Sequence, residues 1–519
     1  MKSKLTRFRA PTLTIEHLWL GVPIFILVWK GFRFPVPLLD FWWHLKAGEV
    51  ILSTSTIPRI DLFSFTAAGK PFILGNWLAE TIYYILYRLG GLELLVFVNT
   101  ILLVIAFLPV YDLCLRATSN VRIGAVSATM LALGMVVSIR TQVFSFVMFA
   151  AYYWILSEYY RGRKDFLWFL PVGMAFWVNL HGAFASGLLL LVLYCTFAAF
   201  RELSDGAMRR ASGNRAVKLL SVTILCFMSS LINPEMHRIY GYFFTVLGDS
   251  SSQKYVMEWQ PPQINSLQGV LLFFAPFFLV FCGFVYSKRK PELEEFVLVL
   301  VFGVFALLSL RNCVWFVMIV APMVARYLPV VEFGTAQDSG LTKRMSWFLR
   351  PSPGARSGAA TKMNLLLASL SVCALLLVSP WVYPKVYGAS LLDSHTPVGA
   401  MDFIERHSLE GNIFHPQVFG DYLIWRCWPR QRSFIDGRVH LFGEGFVEEY
   451  QRILCDSDWR GMLKKYDIRY LLLEKAPGDK CGERMISDAR RSDSWKIMYE
   501  DEVSILWEAV TPCPSCAKN

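Results

Sequence analysis

A succession of apolar runs, each near the thickness of a bilayer, constrains this chain more than any motif in it. An α-helix needs roughly 17 to 25 residues to cross the hydrocarbon core. Runs near that length fall at 15–32, 91–112, 122–140, 143–160, 166–180, 183–200, 218–233, 268–287, 295–310, 312–330 and 363–382. A soluble fold has no interior able to hide so much apolar surface, because 55% of the 519 residues are hydrophobic and only 18% are charged. The pattern predicts an α-helical polytopic membrane protein with about eleven transmembrane helices. The net charge of +11 fits basic cytoplasmic loops, and no nucleic-acid partner is expected.

Those basic residues give the runs an orientation. Lys2, Lys4, Arg7 and Arg9 precede the first run; Arg161, Arg163 and Lys164 follow the fourth. Arg201, Arg209, Arg210, Arg215 and Lys218 lie between the sixth and seventh, and Lys288, Arg289 and Lys290 follow the eighth. Lys343, Arg344, Arg350, Arg356 and Lys362 precede the eleventh. Eleven crossings put all five clusters on one face, which the positive-inside rule makes the cytoplasm. The N-terminus is then cytoplasmic, and no small-residue cleavage site follows "MKSKLTRFRA", so the first helix is expected to stay. Residues 1–382 form the membrane domain, with a first extracytoplasmic loop at 33–90. The Gly-, Ser- and Pro-containing stretch 331–361 reads as a cytoplasmic linker. The stretch 76–90, "NWLAETIYYILYRLG", is short and polar and is expected to lie at the interface as a helix; the alternative, a short span, would invert all later loops, against the basic clusters.

From 383 to 519 the chain changes character and reads as an extracytoplasmic α/β domain, long enough to bury its own core. "TPVGAMDFIERHSLEG" predicts an amphipathic helix ending at Gly411, and "EEYQRILCD" and "DWRGMLKKY" predict two more. "NIFHP", "SFID" and "YLLLE" predict short buried strands. Cys513 and Cys516 in "CPSC" have zinc-type spacing but lack a recognisable second ligand pair, for which Cys455 and Cys481 are the candidates. In an oxidising compartment disulfides are expected ahead of zinc. P-loop, Rossmann, GxSxG and HExxH patterns are absent, which disfavours nucleotide chemistry.

Polar residues next to apolar runs are costly, so their placement carries information. On the predicted topology they gather on the outer side. Arg140 and Gln142 lie in "SIRTQVFS", Asn179 and His181 in "WVNLHGAF", and Asn233, Glu235, His237 and Arg238 in "LINPEMHR". Arg311 and Asn312 lie in "SLRNCVW", and the first loop adds Asp40, His44, Asp61 and Glu80. Together they can line one outward cavity. Arginines there suit a lipid phosphate, which a planar guanidinium grips with two N–H groups, and a carboxylate beside them suits a general base. Trp42 and Trp43 read either as interfacial belt residues or as a wall against a sugar or lipid.

The stretch "DFWWHLKAGEVILSTSTIPRIDLFSF" resembles the first extracytoplasmic loop of GT-C superfamily glycosyltransferases. That layout is shared by the oligosaccharyltransferase catalytic subunit, protein mannosyltransferases and lipid A aminoarabinose transferases. The chain also resembles a group of bacterial membrane proteins with the pattern "DxWWHLxxGxxI…IPxxDxFSxT…WLxE". Shared patches are "NxHGxF", "EWxPP" (Glu258, Trp259, Pro261, Pro262) and "GDYLIW…DGR" (Gly420 to Trp425, Asp436 to Arg438). The resemblance implies a GT-C-like enzyme of a bacterial cytoplasmic membrane. It would move a sugar from a polyprenyl-phosphate donor to an extracytoplasmic lipid, glycan or protein acceptor.

In that reading Asp40 and Asp61 are the catalytic candidates, with Asp40 matching the first-loop aspartate. His44, Glu80, Arg140, Gln142, Asn179, His181, Glu258 and Arg311 are the substrate-binding candidates. A divalent cation, magnesium or manganese, is the candidate cofactor, though no clear DxD pattern marks its ligands. The oligosaccharyltransferase "WWD" motif is absent from the C-terminal domain, which weighs against transfer to Asn-X-Ser/Thr. The alternatives are a non-catalytic glycolipid transporter or envelope assembly scaffold, and a glycan ligase or polymerase.

Overall fold

The computed structural model of the chain describes residues 13–204, 215–327, 358–456 and 458–510. Arg209, Arg210, Lys343, Arg344, Arg350, Arg356, most of the 331–361 linker and Cys513 with Cys516 lie outside the described residues, as do the basic residues before the first run. Each of the eleven apolar runs carries a helix. Among the described residues, four helices are long and apolar enough to cross a membrane: Ile15–Arg33, Trp77–Ala117, Phe184–Leu203 and Leu267–Tyr286. The first part of the chain forms α1 (Ile15–Arg33), α2 (Phe41–Thr54), α3 (Trp77–Ala117), α4 (Val121–Gly134), α5 (Gln142–Tyr160), α6 (Phe169–Leu180) and α7 (Phe184–Ser204).

Two of these differ from expectation. The region after Asp40, read as loop, is the helix α2, whose Phe41, Trp42, Leu45, Ala47 and Ile51 are buried. Helix α3 joins the predicted interfacial helix to the second apolar run, but the two are separated by a break at Gly90–Gly91. Gly91 has φ +66°, a left-handed conformation that glycine adopts without a Cβ clash.

Helix α4 stops at Gly134, six residues before the end of its apolar run, so Arg140 arrives on non-helical backbone. A helix end leaves carbonyls unpaired, which is costly away from water. Lys30 of α1 resolves this, its Nζ donating to the carbonyls of Ala132 (3.1 Å), Leu133 (2.6 Å) and Met135 (3.2 Å). Asn99 and Tyr83 of α3 donate to the carbonyls of Val137 (3.0 Å) and Arg140 (2.8 Å). The segment is therefore fixed although it has no regular structure.

The C-terminal region folds around a four-stranded sheet in the order β1-β2-β4-β3, with β1 (Asn412–Phe414), β2 (Ile468–Glu474), β3 (Trp495–Glu500) and β4 (Ser504–Ala509). Strand β1 runs parallel to β2, and the other two pairings are antiparallel. "YLLLE" is the buried central strand β2. The amphipathic helix spans Val398–Arg406 and stops before Ser408, which has φ +48°, so it does not reach Gly411. "SFID" is not a strand of the sheet: Ser433 makes one parallel bridge to Ser64 of the first loop. Cys455 and Cys481 form a disulfide.

The first loop and the C-terminal region share one core. Trp42 meets Tyr422 edge-on at 4.9 Å, Lys46 lies over the Trp425 ring, and Phe41, Trp42, Tyr422 and Leu423 are all buried. Trp42 and Trp43, 2% and 7% exposed, are core residues rather than a belt or an open wall. The sequence "GDYLIWRC" supplies the facing helix, Gln417–Cys427.

Candidate active site

Asp40 is the N-cap of α2 and has φ 67° and ψ −44°. The Phe41 N–H donates to the Leu39 carbonyl at 2.9 Å, so Asp40 is the central residue of a γ-turn of the rare positive-φ type. For a residue with a side chain that conformation costs about 1–3 kcal/mol and persists only where surrounding structure enforces it. The enforcing groups come from the C-terminal region. The Asp40 N–H donates to Asp421 Oδ2 at 2.5 Å, and the Gly437 N–H donates to the other oxygen of the same carboxylate at 2.9 Å. A methyl group on Gly437 would stand 2.5 Å from Asp40 Oδ1 and 2.9 Å from Asp421 Oδ2, so only glycine leaves room for both carboxylates.

Arg140 meets the Asp40 side chain, and Glu258 and Arg311 follow it in a chain of ion pairs. Arg140 Nη2 is 3.6 Å from Asp40 Oδ2, and its Nη1 donates to Glu258. Arg311 Nη1 is 3.8 Å from the second Glu258 oxygen, and its guanidinium lies over the Trp259 ring at 4.6 Å. The turn carrying Glu258 is tied to the turn carrying Arg311: Ser309 Oγ donates to the Glu258 carbonyl (2.8 Å) and Leu310 N–H to that of Gln260 (2.8 Å). The four side chains are 23–30% exposed, so the cluster is open to a ligand. Arg140 Nε is shielded and has no hydrogen-bond partner among the described residues.

Desolvation raises the Asp40 carboxyl above the ordinary range, with Arg140 and Arg311 opposing the rise and Glu258 and Asp436 adding to it. Burial works in the same direction on Glu258, but Arg311 and Arg140 outweigh it and hold that carboxyl low. Asp421 is raised well above its usual value by burial, then by Asp436 and Asp40.

His181 borders this cluster. Its Nδ1 accepts the Ala183 N–H (3.2 Å) and pairs with Ser145 Oγ (2.9 Å), while Ser145 Oγ accepts from Trp177. Burial, reinforced by Arg311, drops the ring to about 3. A neutral ring with Nδ1 accepting carries its proton on Nε2.

The remaining sequence candidates stand apart from the four-residue cluster. His44 Nδ1 lies 2.7 Å from Glu80 Oε1 in a buried pair that ties α2 to α3, and burial pushes the His44 ring well below its usual value. Asn179 accepts from Trp77 Nε1 (2.8 Å) and donates to the carbonyls of Ala175 and Ile232, so it holds helices together. Gln142 is buried at the first turn of α5. Asp61 is 2% exposed and accepts from the Phe63 and Ser64 N–H groups and from Ser64 Oγ. It also pairs with Arg438, which reaches Asp436 as well and is surrounded by the rings of Trp43, Phe63 and Phe72. Asp61 is thus enclosed between the first loop and Arg438, apart from the Asp40 cluster.

Asp421 and Gly437 touch Asp40, Arg438 pairs with Asp61 and Asp436 pairs with Arg438, contacts that reasoning from outer turns did not assign. Their signal is the "GDYLIW…DGR" pair of patches. Among the described residues no three His, Cys, Asp or Glu side chains converge to hold a metal ion, and Asp40 and Glu258 both face Arg140, so the donor set does not fit a divalent cation.

No protein-family model matches the chain, and no curated protein matches it. Among solved structures it is similar to ArnT from Cupriavidus metallidurans bound to undecaprenyl phosphate, at 12% identity and a TM-score of 0.39. It is also similar to the apo state of that protein, at 13% identity and a TM-score of 0.40. Each comparison covers 95% of this chain and 97% of the other.

Proposed function

We propose that the protein is a GT-C-like membrane glycosyltransferase that moves a sugar from a polyprenyl-phosphate donor to a hydroxyl of a lipid, glycan or protein acceptor outside the cytoplasm. The observation that carries this reading is the convergence of Asp40, Arg140, Glu258 and Arg311, which are remote in sequence, around one open carboxylate. Asp40 takes the acceptor proton as the acceptor attacks the anomeric carbon. The bond from that carbon to the phosphate oxygen breaks, and polyprenyl phosphate leaves with the bonding pair. Arg140 and Arg311 meet the charge that grows on the phosphate, where fixed donors in a shielded site act most strongly. His181 Nε2–H orients the donor, and Asp61, with Arg438, positions the loop.

In this reading the chain is a multi-pass protein of a bacterial cytoplasmic membrane, with about eleven spans, its N-terminus inside and its C-terminal domain outside. The basic clusters support that orientation, and so does the Cys455–Cys481 disulfide, a bond that persists in oxidising compartments.

Mass spectrometry of envelope lipids, glycans and glycoproteins in a deletion strain tests the proposal. We expect one sugar to disappear from one acceptor class and to return on complementation. An unchanged envelope profile would overturn it.

A further inference from the structure

The γ-turn at Asp40 is held by a carboxylate that the transfer chemistry does not use. We infer that Asp421 is a positioning residue: by accepting the Asp40 N–H it locks Asp40 in its positive-φ turn, so the C-terminal domain completes a site that the membrane helices cannot form alone.

Three observations converge on this. First, the helix Gln417–Cys427 packs on α2 through Trp42 and Tyr422, which brings Asp421 under the N-terminus of α2. Second, Asp421 is fully buried and its two oxygens accept from two backbone donors of different chain regions, Asp40 at 2.5 Å and Gly437 at 2.9 Å. Both oxygens of the side chain accept a backbone N–H here, whereas an amide offers one acceptor oxygen and a hydroxyl has a single oxygen. Third, Asp40 is the one residue in the cluster whose backbone is strained, with φ 67°, and its carboxylate leans on Gly437. Without Asp421 the Asp40 N–H loses its acceptor and the turn can relax to an ordinary extended N-cap. The side chain would then swing away from Arg140, now 3.6 Å distant. That this geometry serves sugar transfer rests on the function proposed above, whereas the locking itself does not.

The test is a double-mutant cycle on the purified full-length protein, read by thermal unfolding and by the structure of one variant. Glycine tolerates positive φ, so Asp40→Gly is expected to raise the midpoint of unfolding in the natural background. In the Asp421→Ala background the turn is already relaxed, and the same substitution is expected to raise it much less. A structure of Asp421→Ala is expected to show Asp40 at negative φ. Equal effects of Asp40→Gly in both backgrounds, with Asp40 still near φ 67° in the variant, would overturn the inference. If Asp421→Ala does not accumulate in folded form, Asp421→Asn takes its place. It keeps one acceptor oxygen and presents an NH2 to the other backbone donor, so a reduced but non-zero coupling is expected, and no coupling would overturn the inference. An unaltered envelope in a deletion strain, with the coupling intact, would remove the transferase reading and leave the locking in place.

Discussion

Arg438 and Asp61, separated by 377 positions in sequence, meet at 2.6 Å in a site where both side chains are about 1% exposed or less. Asp436 completes the ion pair on the same guanidinium, and three aromatic rings exclude water around it. Removing one partner of a buried charge network typically costs about 3–5 kcal/mol, because the others lose their compensation. Arg438→Ala leaves two buried carboxylates facing each other and is expected to lower the unfolding midpoint sharply. Asp61→Asn leaves the Arg438–Asp436 pair intact and is expected to cost less. Thermal unfolding of the two variants in detergent checks the order, and the reverse order would contradict the network as drawn.

Asp40→Asn keeps the shape and the backbone hydrogen bond of the residue but cannot accept a proton. A positioned general base contributes on the order of 100- to 10,000-fold in rate. Transfer by purified Asp40→Asn is expected to fall by that order, while Trp42→Phe, which keeps an aromatic ring against Tyr422, reduces it far less. Asp61→Asn is expected to retain transfer in proportion to the protein that folds. Full activity in Asp40→Asn would send the search for the base elsewhere.

The pH profile follows from the same carboxylate. A base acts only when ionised, and desolvation raises the Asp40 carboxyl while the two arginines only partly offset it. Turnover is therefore expected to fall as pH drops through a limb above the ordinary aspartate value of about 3.9. The limb belongs to the interacting cluster of Asp40, Glu258 and Asp421 rather than to one group. A profile flat from pH 7 down to the ordinary aspartate range would contradict this.

Much of the helical body was legible because apolar runs report helix burial directly. The gathering of Asp40, Arg140 and Arg311 was legible because polar residues beside such runs need a reason to be there, whereas Glu258 was singled out only by the "EWxPP" patch of the resemblance. Other parts followed from long-range contacts that periodicity does not carry. Helix α4 ends early because Lys30, on another helix, supplies donors for its terminal carbonyls. "SFID" has a strand-like composition, but its partners are first-loop residues and Arg438. Asp61 and Asn179 looked like site residues because they are polar near apolar runs. Their hydrogen bonds are instead spent holding loop and helices together.

Orientation makes a separate prediction. Eleven spans starting in the cytoplasm put 331–361 inside and everything after 382 outside. Reporter fusions after Arg350 and after Gly411 are expected to give opposite answers, cytoplasmic and then extracytoplasmic. Two cytoplasmic answers would remove the outward site.

Glu258 gives the sharpest test of what the arginines bind. Its carboxylate bridges Arg140 and Arg311, each of which also has a role proposed for it on the donor phosphate. An incoming phosphate must compete with that carboxylate for the same guanidinium groups. Glu258→Gln keeps the size and a hydrogen-bond acceptor but removes the competing charge, so polyprenyl phosphate is expected to bind more tightly. Arg140→Ala and Arg311→Ala are expected to weaken its binding and to slow turnover as well, since they meet the phosphate in both the ground and transition states. Because the contacts are charge-assisted and partly open to solvent, added salt should weaken binding to the natural protein more than to either arginine variant. Titration of detergent-solubilised protein with polyprenyl phosphate measures all four. Weaker binding in Glu258→Gln would mean that the carboxylate organises the arginines for the donor instead of competing with it.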